Sequence, residues 1–400
     1  MASELSQRCP GTVWPDYTGG SLVNLMASLG AALGAGPSPY APLKGAGLPV
    51  GLGQRRSVAL IVIDGLGEAP LEHLGPDSAL AAAQRDRLTS VFPSTTAAAV
   101  TTLMTGAAPG QHALTGWYVR LEDSDEIVAP LPLYVRHPAG SPSSRSALAG
   151  RLFGQPAFAA RINRPTVVLQ PSYIADSEYS RAHAGPATRL GYDTPEDAFL
   201  RLESLLQEEG PARFIYAYLP ELDSLMHDHG VRGEPVADLF HVIDRAFARL
   251  AGVAAQQDAV LLVTADHGFI DAPEAHQIDL EHHPDLAACL ALPLSGERRV
   301  AFCHVRPEAL DTFDHLTENE LGHAAWCLEP GWLLEAGVFG PPPWHPALPA
   351  RLGDRVLLMK DNYTLRDTLA HEKPLYLPAV HAGVSAEEMW VPLIVAGCVD

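Results

Sequence analysis

Short runs that are apolar at nearly every position, set between helical stretches, constrain this fold more than any other feature of the chain. They are Ser57–Ile63 (SVALIVI), Thr166–Leu169, Phe214–Leu219 (FIYAYL), Ala259–Thr264 (AVLLVT), Val300–Val305, Val356–Met359 and Trp390–Ala396. A strand with one wet face alternates apolar and polar residues; these do not, so they predict a sheet covered on both faces. Between them lie helix signals. Thr194-Pro195-Glu196-Asp197 is a cap, an N1 proline and an acidic first turn, with Gly210 as a stop. A second helix is expected from Val236 to Leu250, before Gly252. Strand–helix–strand alternation of this kind predicts an α/β fold: a mainly parallel central sheet with helices on both faces. The stretch 276–350 breaks the rhythm with clustered histidines and PPPWHPALP. It reads as a small inserted α+β subdomain, with 1–275 and 351–400 forming the core.

Composition narrows the partners. Apolar residues make up 47% of the chain and charged ones 18%, which excludes intrinsic disorder. The net charge of −20 and the lack of any dense Lys/Arg run exclude a nucleic-acid polymer as partner. An anionic small molecule is compatible only if something local, such as a metal ion, reverses the field. The uncharged stretch from Thr18 to Leu43 is interrupted by Asn24 and by Pro37 and Pro39. Leu22, Leu25, Met26, Leu29 and Leu33 form one stripe after Ser21, so an amphipathic helix packed on the body is expected, not a membrane span. The opening MASELSQRCPGTVWPDY lacks the basic and apolar regions of a secretory signal. Cys9, Cys289, Cys303, Cys327 and Cys398 are scattered with no CxxC, as in reduced thiols. The expectation is a soluble, cytoplasmic protein.

In open α/β sheets ligands bind beyond the carboxyl ends of strands, and there the chain places metal-binding chemistry. SVALIVI ends in Asp64-Gly65, FIYAYL leads into Asp223 and His227 at i, i+4, and AVLLVTA ends in Asp266-His267-Gly268. His381, in AVHAG, precedes a strand and needs the tertiary fold to bring it in. Each alone has an ordinary reading as a turn, a helix face or a surface histidine; the chain has 17 histidines, so most are not ligands. A fifth element, FPSTTAAAVTTLMTG, reads as a helix with hydroxyls at its start. Ser94, Thr95 or Thr96 caps it, and a hydroxyl placed there can face a phosphate held by free N–H groups.

Taken in order, ALIVIDGLG, FPSTTAAAVTTLMTG, PELDSLMHDHG, LLVTADHG and VHAGVSAEEMWVPLIV resemble the alkaline phosphatase superfamily. Within it they most resemble the type I phosphodiesterase/nucleotide pyrophosphatase family, in a compact, bacterial-type form. The resemblance covers Ser57 to Ala396. It implies an alkaline-phosphatase-like core and two zinc ions, with Mn2+ or another divalent metal as a substitute. Asp64, Asp266 and His267 would hold one ion together with the nucleophile oxygen, and Asp223, His227 and His381 the other. Thr96, third after Pro93, would be the nucleophile, with Thr95 next in line if the loop register differs. Three carboxylates and an ionised threonine set against two Zn2+ leave the site near neutral, which lifts the objection to an anionic substrate.

The implied activity is hydrolysis of phosphodiester or pyrophosphate-type bonds in a small-molecule phosphoester. In the family's nucleotide pyrophosphatases an asparagine amide helps hold a phosphoryl oxygen, and the resemblance puts Ala99 in its place. No Arg, Lys or Asn lies in SVFPSTTAAAVTTLMTG, so a diester is expected over a monoester, unless a cation such as Lys360 folds in. Trp117, Tyr118 and Tyr173 are candidates to stack on the rest of the substrate. The competing readings are a phosphomonoesterase, a phosphoglycerate-mutase-like enzyme, whose GNSEVGH-like motif is lacking, and a metal-stabilised relative without turnover. A sulfatase is disfavoured, since no Cys-x-Pro-Ser-Arg occurs.

Overall fold

Seven strands form the central sheet, and three of them carry the residues of interest on their carboxyl ends. The computed structural model describes residues 2–45, 47–138, 140 and 143–397, the side chains of Ala2 and Ser3 excepted. In chain order the strands are β1 (Ser57–Ile63), β2 (Gln84–Thr89), β3 (Thr166–Pro171), β4 (Thr188–Tyr192), β5 (Arg213–Leu219) and β6 (Ala259–Thr264). A second sheet follows, made of β7 (Ser295–Gly296), β8 (Val300–Cys303), β9 (Ala325–Leu328) and β10 (Arg355–Met359), and then β11 (Trp390–Gly397) returns to the first. The order in the central sheet is β2–β11–β6–β1–β5–β3–β4. All pairings from β6 to β4 are parallel, while β11 runs antiparallel to both β2 and β6.

The central strands β1, β5 and β6 are buried at every position, as continuous apolar runs require. The polar β2 (QRDRLT) and the half-exposed β4 (TRLGY) were not expected; they are the two edges. The predicted strands at Val300 and Val356 exist but belong to the small antiparallel sheet, β7–β8–β10–β9. That sheet has apolar packing on both faces. Val300, Phe302, Val356 and Leu358 enter one cluster and Ala301, Cys303, Leu357 and Met359 another, which is the period-two alternation of strands. Buried Arg299 pairs with buried Glu388 at 2.9 Å, tying this sheet to the segment before β11.

Five helices matter here: α1 (Leu22–Ala32), α2 (Thr96–Thr105), α3 (Pro195–Gln207), α4 (Glu221–His229) and α5 (Glu234–Gln256). The expected amphipathic α1 is instead buried around most of its circumference, Asn24 included. Asn24 is satisfied there, accepting from the Ser21 N–H and hydroxyl and donating to Tyr17 and Ala41 carbonyls. Helix α5 does not stop before Gly252 but continues to Gln256. Its long apolar face outweighs the modest cost of one helical glycine. Cys9, Cys289, Cys303 and Cys327 are free thiols; Cys398 lies outside the described residues. No helix among the described residues is long and apolar enough to cross a membrane.

Candidate metal centre and active-site cavity

Register places the carboxylates. Ile63 of β1 lies level with Leu219 of β5, and Val62 level with Thr264 of β6, so the three chains leave the sheet side by side. Asp64 follows β1 directly. Asp266 and His267 follow β6 by two and three residues, and Pro220 turns the chain after β5 into α4, which carries Asp223 and His227. His381 arrives from the other direction. Ala379–Val380 pairs antiparallel with Ile270–Asp271, setting Val380 against Ile270 just beyond His267. The His267 and His381 rings stack with centroids 3.7 Å apart.

The histidines are oriented by main-chain acceptors. Nδ1 of His267 lies 3.0 Å from the Gly268 carbonyl, Nδ1 of His227 2.9 Å from that of Ala379, and Nδ1 of His381 3.3 Å from that of Ser94. A carbonyl only accepts, so each ring carries its proton on Nδ1 and turns the Nε2 lone pair inward. His267 Nε2 lies 3.4 Å from Asp64 Oδ1, 3.3 Å from Asp266 Oδ2 and 3.2 Å from Thr96 Oγ1. Ligands of a tetrahedral zinc, each about 2.0–2.1 Å from the ion, are separated by roughly 3.3 Å. Asp223 Oδ1 lies 3.7 Å from Nε2 of both His227 and His381. Asp223, His227 and His381 thus make one cluster with the spacing of metal ligands, and Asp64, Asp223 and His267 make another.

The unpaired atoms make the same point. Asp64 Oδ1, Asp223 Oδ1 and Asp266 Oδ2 are buried without a hydrogen-bond partner. The sister oxygens of two of them are engaged: Tyr218 donates its hydroxyl to Asp64 Oδ2, and the N–H groups of Gly65 and His267 donate to Asp266 Oδ1. Burial, with Asp266 and Asp223 as charged neighbours, pushes the Asp64 carboxyl well above its usual range, and burial pushes Asp223 up to about 7. Burial, then His267 and His227, pulls His381 well down. Neutral imidazoles facing unsatisfied carboxylates are the donor set of a divalent cation. The residues fit a divalent metal.

Thr95 is the N-cap of α2 and Thr96 its first residue. The Thr95 hydroxyl turns away to Glu297 at 2.5 Å, while Thr96, partly exposed, faces the ligand cluster. The N–H groups of Thr96 and Ala97 have no backbone acceptor among the described residues, as at the open first turn of any helix. Both threonines, with Asp64, Asp223, His227 and His381, line a cavity of about 840 Å3. Trp117, Tyr118 and Tyr173 line it too, the last two thirds or more exposed at 78%. Tyr118 is packed under the Arg136 guanidinium at 4.3 Å and hydrogen-bonded to Tyr134.

Two positions singled out in the sequence lie away from the cavity. Ala99 is fully buried in the core, one turn into α2, and does not line the cavity. Lys360 is also elsewhere, its Nζ donating to the Gly322 carbonyl at 2.5 Å beside Trp326. His229 is exposed. The cavity's cations are Arg136, Arg298, Arg366 and Lys373, and its unforeseen acids are Glu297, Asp367 and Glu372. Glu297 accepts from the Thr95 hydroxyl and, at 2.7 Å, from the Trp117 N–H; burial pushes it up to about 7. Glu297 and Arg298 occupy the β7–β8 turn, where GERR reads as an ordinary hairpin tip. Tyr218 hid inside an apolar strand.

The profile of the type I phosphodiesterase/nucleotide pyrophosphatase family matches residues 58–374. No curated protein matches the sequence. Among solved structures, human ectonucleotide pyrophosphatase/phosphodiesterase 5 is similar over 85% of this chain and 87% of its own, at 15% identity and TM-score 0.61. Its murine counterpart is similar over 85% and 88%, at 16% identity and TM-score 0.58. Phosphonoacetate hydrolase from Sinorhizobium meliloti 1021, in complex with phosphonoacetate, is similar over 85% and 90%, at 19% identity and TM-score 0.60. At such identities the likeness is one of fold.

Proposed function

This chain belongs to the type I phosphodiesterase/nucleotide pyrophosphatase family, and from that premise we propose that it hydrolyses phosphodiester or pyrophosphate-type bonds with Thr96 as nucleophile and two zinc ions. Asp64, Asp266 and His267, with Thr96, would hold one ion; Asp223, His227 and His381 would hold the other. The observation that carries this reading is the set of three buried, partnerless carboxylate oxygens facing inward-turned imidazoles beside the Thr96 hydroxyl. When bound, such a metal pair supplies positive charge that favours the ionised hydroxyl and stabilises the departing oxygen.

The protein's own groups do the rest. The α2 helix start fixes the Thr96 Oγ1 at the cavity wall, and the N–H groups of Thr96 and Ala97 are placed to receive phosphoryl oxygens. Attack by Thr96 Oγ1 on phosphorus forms a P–O bond to threonine as the bond to the leaving alcohol or phosphate breaks. Water then cleaves the threonine ester and restores the hydroxyl. Gly268, Ala379 and Ser94 carbonyls hold the Nδ1 side of each ring and keep the Nε2 side aimed inward throughout. Trp117, Tyr118 and Tyr173 offer apolar surface to the rest of the substrate. The free thiols support a reducing, cytoplasmic setting.

The test is hydrolysis of a panel of phosphate esters by zinc-loaded and by chelated protein. Turnover of a diester that disappears on chelation and returns with zinc supports the reading. Full turnover by metal-free protein ends it.

A further inference from the structure

Three arginines line the cavity, and two have their charges matched. Arg136 is ion-paired with Asp367 and Glu372 at 2.9 and 2.8 Å, and Arg366 with Asp279 at 2.8 Å. Arg298 has no carboxylate partner among the described residues. Its neighbour in sequence, Glu297, turns its own carboxylate to Thr95 and Trp117. The Arg298 guanidinium makes one hydrogen bond, from Nη1 to the Leu375 carbonyl at 2.8 Å, and Arg366 donates to the same oxygen at 2.9 Å. Two guanidinium groups therefore meet at one carbonyl, in a partly buried cavity wall, with a single negative partner between them.

We propose that Arg298 binds a carboxylate on the part of the substrate that Thr96 does not attack. The proposal rests on the hydrolase reading of the same cavity. A desolvated guanidinium without a counterion is costly, and a carboxylate matches its planar fork with two parallel hydrogen bonds. Nε and Nη2 of Arg298 have no acceptor among the described residues, so the fork is open to receive them. Two open donors on one planar edge match the two oxygens of a single carboxylate, and the neighbouring Glu297 carboxylate disfavours a second negative charge on the ligand. Burial and the nearby Arg366 pull Arg298 down to about 10, the direction that a bound anion would reverse. Its position on the β7–β8 turn beside Glu297 puts this subsite next to the reacting centre but on a different element, so substrate selection is assigned to the small sheet and bond cleavage to the large one.

Calorimetric binding to the zinc-loaded protein tests this without turnover. The probes are methyl (2-carboxyethyl)phosphonate, its neutral amide methyl (2-carbamoylethyl)phosphonate, and the analogue with a second phosphonate in place of the carboxylate. The acid should bind roughly tenfold more tightly than the amide, the gain expected of one charge-assisted fork. Arg298→Gln should bring the two within about twofold, and Arg298→Lys should keep part of the difference because charge remains while the fork is lost. Equal binding by the native protein, or a preference that survives Arg298→Gln, overturns the proposal. Tighter binding of the bisphosphonate than of the acid overturns the commitment to a carboxylate. Turnover is read separately: a protein that hydrolyses nothing yet shows the preference refutes the hydrolase reading and leaves the subsite standing.

Discussion

The Thr95 hydroxyl donates to the Glu297 carboxylate at 2.5 Å, across 202 positions of chain. That bond distinguishes the adjacent threonines by the partners they face. Thr95 is spent on joining α2 to the β7–β8 turn, and Thr96 is left facing His267 Nε2 at 3.2 Å.

Substitution should separate the two. Thr96→Ala should lower kcat by at least roughly a thousandfold, as loss of a nucleophile does, while retaining bound metal. Thr95→Ala should cost no more than about tenfold, the worth of one hydrogen bond to a charged group. Peptide mapping of enzyme quenched during turnover should place the phosphoryl adduct on Thr96. An adduct on Thr95, or none at all, would refute the assignment.

Glu297 also sets an expectation about substrate charge. A carboxylate beside the reacting centre repels a monoester dianion more than a diester monoanion. The kcat/KM for bis(p-nitrophenyl) phosphate should therefore exceed that for p-nitrophenyl phosphate, and Glu297→Gln should narrow the ratio by roughly tenfold. Because burial raises Glu297 to about 7, the acid is neutral below that pH and charged above it. The diester preference should grow as pH rises through about 7 and become flat in Glu297→Gln. A preference for the monoester at equal zinc loading would sink the idea.

Metal analysis of purified protein should give about two zinc ions per chain. Asp223→Ala and His381→Ala should each lower that content and activity together. Tyr218→Phe removes the hydroxyl that orients Asp64, and metal affinity should fall by roughly 10- to 100-fold, the usual effect of losing a partner behind a ligand. Unchanged zinc affinity in Tyr218→Phe would show that Asp64 needs no such support.

Acid should weaken the fold before ordinary carboxylates titrate. Burial holds His112 and His304 down to about 3 and His183 to about 4, against 6.5 for a free imidazole. Between those values the unfolded chain binds protons that the folded one does not, so stability falls as pH drops below 6.5. The slope should approach about 1.4 kcal/mol per pH unit for each histidine. Urea midpoints of zinc-loaded protein at pH 7.5, 6.0 and 5.0 check this, with His112→Gln expected to flatten the slope by one proton's worth. A midpoint constant from pH 7 to 5 would contradict it.

The sequence made the central strands and their terminal ligands readable because β1, β5 and β6 are buried on both faces and so are apolar throughout. It concealed β2 and β4 because an edge strand needs no such composition. The positions of Asp64, Asp223, Asp266 and His267 were legible from strand ends alone, whereas His381 depended on the pairing of Ala379–Val380 with Ile270–Asp271. Glu297 and Arg298 were invisible for a different reason. A hairpin tip of charged residues looks like a solvated turn, and only the tertiary packing sets its Glu297 against Thr95 and Trp117. Ala99 shows the limit of a count along a helix, which gives spacing but not the direction in which a residue faces; here it faces the core.

The place of β11 in the sheet has a consequence for biosynthesis. It is made after every other described strand, yet it lies between β2 and β6 and not at an edge. A nascent chain that has not yet released β11 from the ribosome has β6 as an open border and β2 with no strand to join. Such an unpaired border invites pairing with another chain. The same late segment brings in His381 nine residues ahead of the strand's first, so a polypeptide cut short before it lacks both that imidazole and the strand that closes the sheet.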